Sequence, residues 1–213
     1  MDEFYQWLGF SKSKKIRLAV MDMWKAFHHL TLKPEHAPHA AILFDKFHVL
    51  RHLGEALDTV RKTEYARLTG RGRRFINGQK YTLLSHRVTL TTDGRWHLKV
   101  LLKATKRLDT AYLLKEEFGQ LWDYEREGWA RRFFKNWRAA LKWQRLKPYQ
   151  KFAEMIDRPW DGIAAYGKPE HKVALGFVEG LTNKIRVIQR RSSGLRDEEY
   201  LRRNVLTCML DPI

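Results

Sequence analysis

The chain has 213 residues, of which 44% are hydrophobic, and its 8 Trp and 11 Phe are enough to bury a core, so composition excludes a disordered protein. Its formal net charge of +17 favours a polyanionic partner, nucleic acid before an acidic membrane surface, over a merely soluble basic protein. The single cysteine, Cys208, excludes an internal disulfide and a cysteine-type zinc site.

The amino terminus and the apolar runs bear on where the protein acts. No apolar run approaches the ~18 residues of a membrane span. The first residues lack the basic start and apolar centre of a signal peptide. We therefore expect a cytoplasmic protein without a membrane partner.

The first part of the chain predicts a parallel strand–helix–strand unit. A short helix should end at Gly9, and the aliphatic runs at residues 16–21 and 40–44 are typical of buried strands. A helix at about residues 24–32 and a proline-bearing loop lie between them. Asp22 directly follows the first strand and Asp45 the second, at the end of a sheet where functional groups gather.

Nearly every segment from residue 45 to about 158 is predicted to be helical. The apolar spacing predicts helices after Asp45 and from about Thr92, with a hairpin as the alternative near residues 88–100, and a loop at residues 68–78. The strongest helical signal covers residues 116–146. One face of it should enter the core rather than form a base-stacking platform. The residues near that face are Phe118, Trp122, Trp129, Phe133, Trp137 and Leu141.

A basic segment follows within the same helical region. Residues 131–151 contain eight Lys or Arg and no Asp or Glu, which favours a surface that contacts DNA phosphates over a merely solvated face. The side chains predicted to contact DNA here are Arg131, Arg132, Lys135, Arg138 and Lys142.

Glu179 lies on a predicted helix at about residues 171–189, before a final helix at residues 198–210. It lies nearly opposite the apolar side, on a face shared with Asn183, Arg186 and Arg190. A carboxylate within a basic stripe suits a divalent cation that sits between it and phosphate. The alternative is an exposed glutamate that pairs with Arg186 or bonds to Asn183.

The other candidate acids have simple alternatives as well. Asp22 can cap a turn or helix, and Asp45 and His48, three residues apart at a strand–helix junction, suit a side-chain hydrogen bond that braces it. His48 and His52 have the four-residue spacing of a shared metal site, but no third ligand has suitable spacing.

Several segments resemble bacterial insertion-sequence DDE transposases of the ISL-three type, and the resemblance runs from about residue 4 to residue 210. The matching segments are residues 20–25, 42–53, 81–85, 118–124, 175–180, 183–186 and 194–201. The resemblance implies an α/β fold that is mostly α overall: a partial RNase H-like core, made of the βαβ unit and a late catalytic helix, with a large all-helical insertion. The implied division is residues 1–60 for the partial core, 61–165 for the insertion, and 166–213 for the return to the core.

The resemblance also implies a chemistry and roles for individual residues. In such families three carboxylates hold two Mg²⁺ (or Mn²⁺) ions that cleave DNA strands and transfer them. Asp22 matches the second carboxylate and Glu179 the third, so both are implied catalytic residues and metal ligands. Asp45 and His48 match a supporting Asp-x-x-His element. Asn183 would support Glu179, and the DNA-binding set extends to Lys184, Arg186 and Arg190.

The first carboxylate of the family has no counterpart. Only 21 residues precede Asp22, too few for the strands that carry that aspartate, and Asp2 lies in a segment resembling a later helix. We therefore expect a truncated transposase that binds transposon-end DNA but is inactive alone, and whose open strand edges favour assembly with another copy or an intact transposase. One alternative is a non-enzymatic DNA-binding or dimerising fragment that modulates an intact transposase. Another is an unrelated helical nucleic-acid-binding protein, in which Asp22 and Glu179 would lie far apart.

Overall fold

The computed structural model describes residues 2–209 except residues 24, 71, 72, 74, 75, 77, 172–175 and 192–196; some side chains of the last two helices, including that of Glu179, also lie outside the description. The strands are β1 (Leu18–Met21) and β2 (Ala41–Phe44). The helices are α1 (Asp2–Leu8), α2 (Phe10–Ser13), α3 (Lys25–Thr31), α4 (Lys46–Arg67), α5 (Lys80–Leu84), α6 (Thr92–Ala104), α7 (Lys106–Gly119), α8 (Glu127–Gln144), α9 (Lys147–Asp157), α10 (Trp160–Ala164), α11 (Gly176–Arg191) and α12 (Glu198–Met209). The 3₁₀ turns are Arg87–Thr89, Gln120–Asp123, Ala165–Gly167 and Pro169–His171.

The protein is thus mostly helical, with one small parallel sheet in its described part, and this coarse prediction is confirmed. The chain forms two compact units, residues 1–172 and residues 173–213. Among the described helices, none is long and apolar enough to cross a bilayer.

The predicted strand–helix–strand unit is present at the start of the first unit. Gly9 ends α1 with a positive φ of 80°, a conformation that glycine adopts without strain. β1 and β2 pair in parallel, with Leu18 opposite Ala41 and Met21 opposite Phe44. Because parallel strands end at the same edge, the residues that follow them, Asp22 and Asp45, emerge side by side.

The core of the first unit lies where α4 packs against α7 and α9. α4 has its buried apolar side chains at helical spacing, among them Val49, Leu53, Leu57 and Val60. Within this core the buried Tyr149 Oη donates a hydrogen bond to the Ala111 carbonyl at 2.5 Å and so links α9 to α7. α4 also runs without interruption across residues 60 and 61, where the resemblance implies a domain boundary.

The strongest helical signal of the sequence contains two helices rather than one. α7 ends at Gly119 and α8 begins at Glu127, with a 3₁₀ turn between them. On α8 the buried residues are Ala130, Phe134, Trp137 and Leu141. The prediction that Trp129 enters the core is therefore wrong: its side chain is 54% exposed, because the buried face is centred on Phe134 and Trp137.

Elsewhere the predicted elements occur with shifted ends. The helix near Thr92 is confirmed over the alternative hairpin, and Thr91 caps it by accepting a hydrogen bond from the Gly94 N–H at 3.2 Å. The predicted loop at residues 68–78 is irregular at Leu68 and Thr69 but helical at Arg73 and Ile76, so the loop prediction is wrong there; residues 71, 72, 74, 75 and 77 lie outside the described residues. Where a helix was predicted from residue 171, a 3₁₀ turn ends at His171, and α11 begins at Gly176.

The second unit contains α11 and α12. Ile185 and Ile188 of α11 are half-buried and Asn183 is exposed, as expected for an amphipathic helix. Asp197 caps α12 by accepting hydrogen bonds from the N–H groups of Glu199 at 3.0 Å and Tyr200 at 3.1 Å. The backbone at Glu179 is helical, within α11.

Candidate active site and basic surfaces

Two aspartates lie at the carboxyl edge of the parallel sheet. The ladder continues one step past the strands, because the Asp45 N–H donates to the Met21 carbonyl at 2.8 Å. This bond fixes the start of α4 beside the end of β1. Asp22 and Asp45 therefore occupy neighbouring positions at the edge where α/β proteins place their functional groups.

Asp45 serves as the cap of α4. One carboxylate oxygen, Oδ1, accepts from the Phe47 N–H at 2.9 Å, and the other, Oδ2, accepts from Nδ1 of His48 at 2.8 Å. The cap satisfies a free N–H of the first helical turn, and the second bond orients the imidazole. The hydrogen bond expected from the three-residue spacing is thus present.

His48 links the two aspartates. With Nδ1 directed at Asp45, the other ring nitrogen, Nε2, lies 3.8 Å from Oδ2 of Asp22. Oδ1 of Asp22 accepts from the Met23 N–H at 2.7 Å. The Asp22 side chain is 47% exposed, and no Lys or Arg of the described residues pairs with it. Asp22 is therefore held at one oxygen and open to a ligand at the other.

Asp22 opens into a cavity of about 950 Å³. Its walls come from the end of β1, from α3, and from α9 and α10 of the helical region. The residues that line it are Asp22, Met23, Lys25, His28, His29, Phe44, His52, Lys151, Glu154, Met155, Arg158, Pro159, Asp161 and Gly162. The helical region thus completes a compartment around a carboxylate of the sheet.

The cavity contains three cations that no pattern in the sequence connects to Asp22. Lys25, Lys151 and Arg158 line it, and no carboxylate among the described residues pairs with them. Lys151 and Arg158 are seven residues apart, on the side of α9 opposite its buried residues Phe152 and Ile156. That periodicity is visible in the sequence, but it does not indicate that the polar side of α9 faces Asp22.

A buried phenol lies behind the aspartates. Burial, with a smaller contribution from the nearby Asp45 carboxylate, raises the pKa of Tyr166 to about 12, and the backbone N–H of Lys46 offsets part of the rise. Among the described residues its Oη meets no acceptor at hydrogen-bond distance. Tyr166 therefore stays protonated at neutral pH, and its hydroxyl is available as a donor beside the cap of α4.

The histidine pair on α4 does not form a shared metal site. His48 bonds to Asp45, whereas Nδ1 of His52 lies 3.2 Å from Oε2 of Glu55 on the same helix. Within the described part of the chain, no group of three Asp, Glu, His or Cys side chains is arranged to hold a metal ion. The predicted ligand Glu179 belongs to the second unit, and its side chain lies outside the described residues.

The predicted DNA-contacting cations of α8 fall into two groups. Arg131 pairs with Asp161 at 3.0 Å, and Arg138 pairs with Asp157 at 2.6 Å. The remaining three, Arg132, Lys135 and Lys142, are exposed and have no ion pair with any described carboxylate. On α11 the predicted cations Lys184, Arg186 and Arg190 are exposed.

Comparison with known proteins identifies the family of this arrangement. A family model for DDE transposases of the ISL3 type (the ISL-three type), described as "Transposase", matches residues 1–205. The chain belongs to the ISL3 family of transposases. This membership excludes the alternative of an unrelated helical nucleic-acid-binding protein. No solved structure matches the chain.

Two relatives of the chain are transposases of named insertion sequences. The transposase for insertion sequence element IS1001 of Bordetella parapertussis is 32% identical over 200 residues, which cover 92% of this chain and 48% of the relative. The transposase for insertion sequence element IS1557 of Mycobacterium tuberculosis is 27% identical over 190 residues, covering 78% of this chain and 42% of the relative. The chain thus spans about half the length of the curated relatives it matches.

Proposed function

We propose that this chain supplies the carboxyl-terminal part of a transposase catalytic domain that cleaves and joins DNA strands at transposon ends. In this proposal the βαβ unit and α11 belong to an RNase H-like core, and the helices between residues 61 and 165 form an insertion. Asp22 and Glu179 are two of its three catalytic carboxylates. Asp45, His48 and Asn183 support them.

The observation that carries the proposal is the setting of Asp22. Its carboxylate faces a cavity of about 950 Å³ that also contains Lys25, Lys151 and Arg158, three cations without an ion pair to any described carboxylate. Opposite charges in one open compartment favour a ligand that carries both signs. A phosphodiester accompanied by a divalent cation meets that requirement.

The donor set suits magnesium or manganese only in part. Carboxylate oxygen is the ligand that Mg²⁺ prefers, and Asp22 offers one oxygen that no described Lys or Arg pairs with. When bound, the metals supply the activation of the attacking oxygen and stabilise the leaving one. Asp22 and Glu179 are too few carboxylates for two divalent ions, so we expect the 213-residue polypeptide to be inactive by itself.

Two measurements test this assignment. Incubation of the purified chain with Mg²⁺ or Mn²⁺ and transposon-end DNA should produce no strand cleavage. Strand cleavage by the chain that is abolished in Asp22→Ala would contradict the prediction that the chain is inactive by itself. Separately, Mn²⁺ titration followed by electron paramagnetic resonance should show weak binding that Asp22→Asn reduces at least several-fold. Asp93→Asn, at an exposed carboxylate of α6, should leave it unchanged. Equal Mn²⁺ binding by both variants would contradict a metal-binding role of Asp22.

The cations of the cavity have a separate test. Lys151→Ala and Arg158→Ala should each weaken binding of duplex DNA about two- to fivefold at 0.1 M salt, and each should lower the salt dependence of binding by about one counterion. Lys12→Ala removes an equal charge from the exposed end of α2 and is the matched control. If Lys151→Ala and Arg158→Ala weaken DNA binding no more than Lys12→Ala does, the net charge of the protein alone accounts for the effect.

A second function is favoured by the exposed cations of α8 and by the open strand edges. In it the chain is a non-enzymatic fragment that binds DNA or dimerises and so modulates an intact transposase. Each strand pairs only with the other among the described residues, so each has an edge that a second chain can extend. Mixing the chain with an intact relative should then inhibit strand cleavage and allow co-purification. Unchanged cleavage without co-purification would exclude this function.

A further inference from the structure

Two exposed tryptophans mark one side of α8. Trp129 is 54% exposed and Trp143 is 86% exposed, whereas Trp137 on the same helix is buried. At about 100° per residue, Trp129, Arg132, Asn136 and Trp143 fall within a sector of about 60°. We call these four residues the tryptophan stripe. It runs the length of α8, and the indoles lie about 21 Å apart along the helix axis, at 1.5 Å per residue.

The charged residues that α8 carries on and beside the tryptophan stripe are cations. The only acid of α8 is Glu127, and it lies 3.5 Å from Arg131 on the other flank of the helix. Arg132, inside the stripe, has no ion pair with any described carboxylate. Beyond Trp143 the exposed Arg145 and Lys147 also lack one. A polyanion is therefore the occupant that matches this surface.

The end of the stripe has a defined backbone. Arg145 ends α8 in the left-handed conformation, with φ of 52°, and its carbonyl accepts a hydrogen bond from Arg107 Nη2 of α7 at 3.3 Å. This turn brings Arg107, whose Nε also lies 3.4 Å from Oε1 of Glu64, next to Arg145, and the exposed Arg145 and Lys147 follow Trp143 closely in the chain. The aromatic surface thus ends in a cationic cluster rather than in another apolar patch.

The exposed indoles favour an unpaired strand over a duplex as the nucleic acid that binds here. An exposed indole gains free energy when a base stacks on its face, and every base offers such a face. In a duplex those faces are already covered by neighbouring base pairs, whereas an unpaired strand leaves them open. The 21 Å between the indoles equals about six nucleotides at the ~3.4 Å stacked spacing.

We propose that the tryptophan stripe binds single-stranded DNA, with bases stacked on Trp129 and Trp143 and phosphates on Arg132 and the cations beyond Trp143. The inference rests on the proposed function only in taking DNA as the partner. It requires neither Asp22 nor Glu179, and α8 pairs with α9 and α10 through Arg131 and Arg138 on a different flank. The stripe would hold a strand that has left its duplex, separately from the cavity at Asp22.

The test compares an unpaired strand with a duplex on the full chain. Fluorescence anisotropy with a labelled 12-nucleotide thymidine strand should show about tenfold weaker binding for Trp143→Ala and for Trp129→Ala. Binding of a 12-base-pair duplex should stay within about twofold. Trp96→Ala, at a 61% exposed tryptophan of α6, is the matched control and should change neither the affinity for the strand nor the affinity for the duplex. Circular dichroism should show an unchanged helical signal, since all three indoles are exposed.

Strand length gives an independent readout that needs no variant. Affinity should rise steeply between four and eight nucleotides, when one strand begins to reach both indoles, and then level off. An affinity that grows only in proportion to length would overturn the proposal. Equal losses of affinity for the single strand and for the duplex would also overturn it. So would a variant that changes the oligomeric state but not DNA binding, because the stripe would then be a contact between protein chains. Strand binding that survives Asp22→Asn, together with Mn²⁺ binding that Asp22→Asn leaves unchanged, would leave this inference standing and refute only the proposed function.

Discussion

Gly162 of α10 lies directly against the ring of Phe44 at the end of β2, so that a Cβ at residue 162 would overlap the ring. This contact joins the sheet that carries Asp22 to the helices that wall its cavity. Phe44 is buried, so its ring has little room to move.

We expect Gly162→Ala to destabilise the protein by about 2 kcal/mol. Gly128→Ala, where a Cβ meets nothing, is the control and should stabilise α8 by about 0.5 kcal/mol. Urea unfolding measures both, and equal midpoints would contradict the close contact.

The cap of α4 predicts a difference between two substitutions at one position. Asp45→Ala removes the acceptor of both the Phe47 N–H and His48 Nδ1, and should cost about 1–2 kcal/mol. Asp45→Asn keeps an oxygen for the cap and should cost less than about 1 kcal/mol. Chemical denaturation gives the free energies. If the two variants are equally unstable, the cap is not what Asp45 contributes.

The buried Asp58 cluster predicts a pH dependence. Burial alone would raise the pKa of Asp58, but hydrogen bonds from Arg61 at 2.7 Å and Lys62 at 3.0 Å outweigh it and lower the pKa below its ordinary value. A lowered folded-state pKa contributes stability that is present above the unfolded-state value of about 3.9 and is lost as pH falls through the folded-state value.

Asp58→Asn should therefore cost about 3 kcal/mol at pH 7, because it leaves Arg61 buried without a counter-charge. The difference between the native chain and the variant should stay constant down to about pH 5 and shrink below about pH 4. Denaturant unfolding across this range provides the measurement. A difference that grows on acidification would show that the carboxylate is not stabilised by these cations.

The same substitution should affect stability very differently at two tryptophans of α8. Trp137 is 1% exposed, and its Nε1–H donates to the Leu114 carbonyl at 3.0 Å, so Trp137→Phe should cost about 2 kcal/mol. Trp143→Phe should change stability by less than about 0.5 kcal/mol, since its ring is exposed. Thermal unfolding of the two variants measures this difference. Similar losses of stability would mean that the Trp143 side chain is buried by another chain in solution.

The open sheet predicts association. β1 and β2 each have one edge without a strand partner among the described residues, and unpaired edges bind other chains. Sedimentation velocity should show species larger than the monomer, with their fraction rising with concentration. A monomer that unfolds cooperatively at every concentration would contradict this expectation.

Local patterns in the sequence were sufficient for much of the fold. The alternation of apolar runs and breakers predicted both strands and the helix at Thr92, because these depend on residues within one turn or strand. The spacing of Asp45 and His48 predicted their hydrogen bond for the same reason. The matching segments indicated the transposase family, since they reach from one end of the chain to the other.

The tertiary structure decided which of several similar residues meet. Phe133 and Phe134, or Trp129 and Trp137, are equally apolar in the sequence, and only the packing of α7 and α9 against α8 determined which are buried. Lys151 and Arg158 are more than 125 residues from Asp22, so no local pattern places them in its cavity. Arg131 and Arg138 belong to a basic run, yet long-range ion pairs with Asp161 and Asp157 distinguish them from Arg132, Lys135 and Lys142. Periodicity determines which side of a helix is apolar, whereas the partner of each side depends on contacts between distant segments.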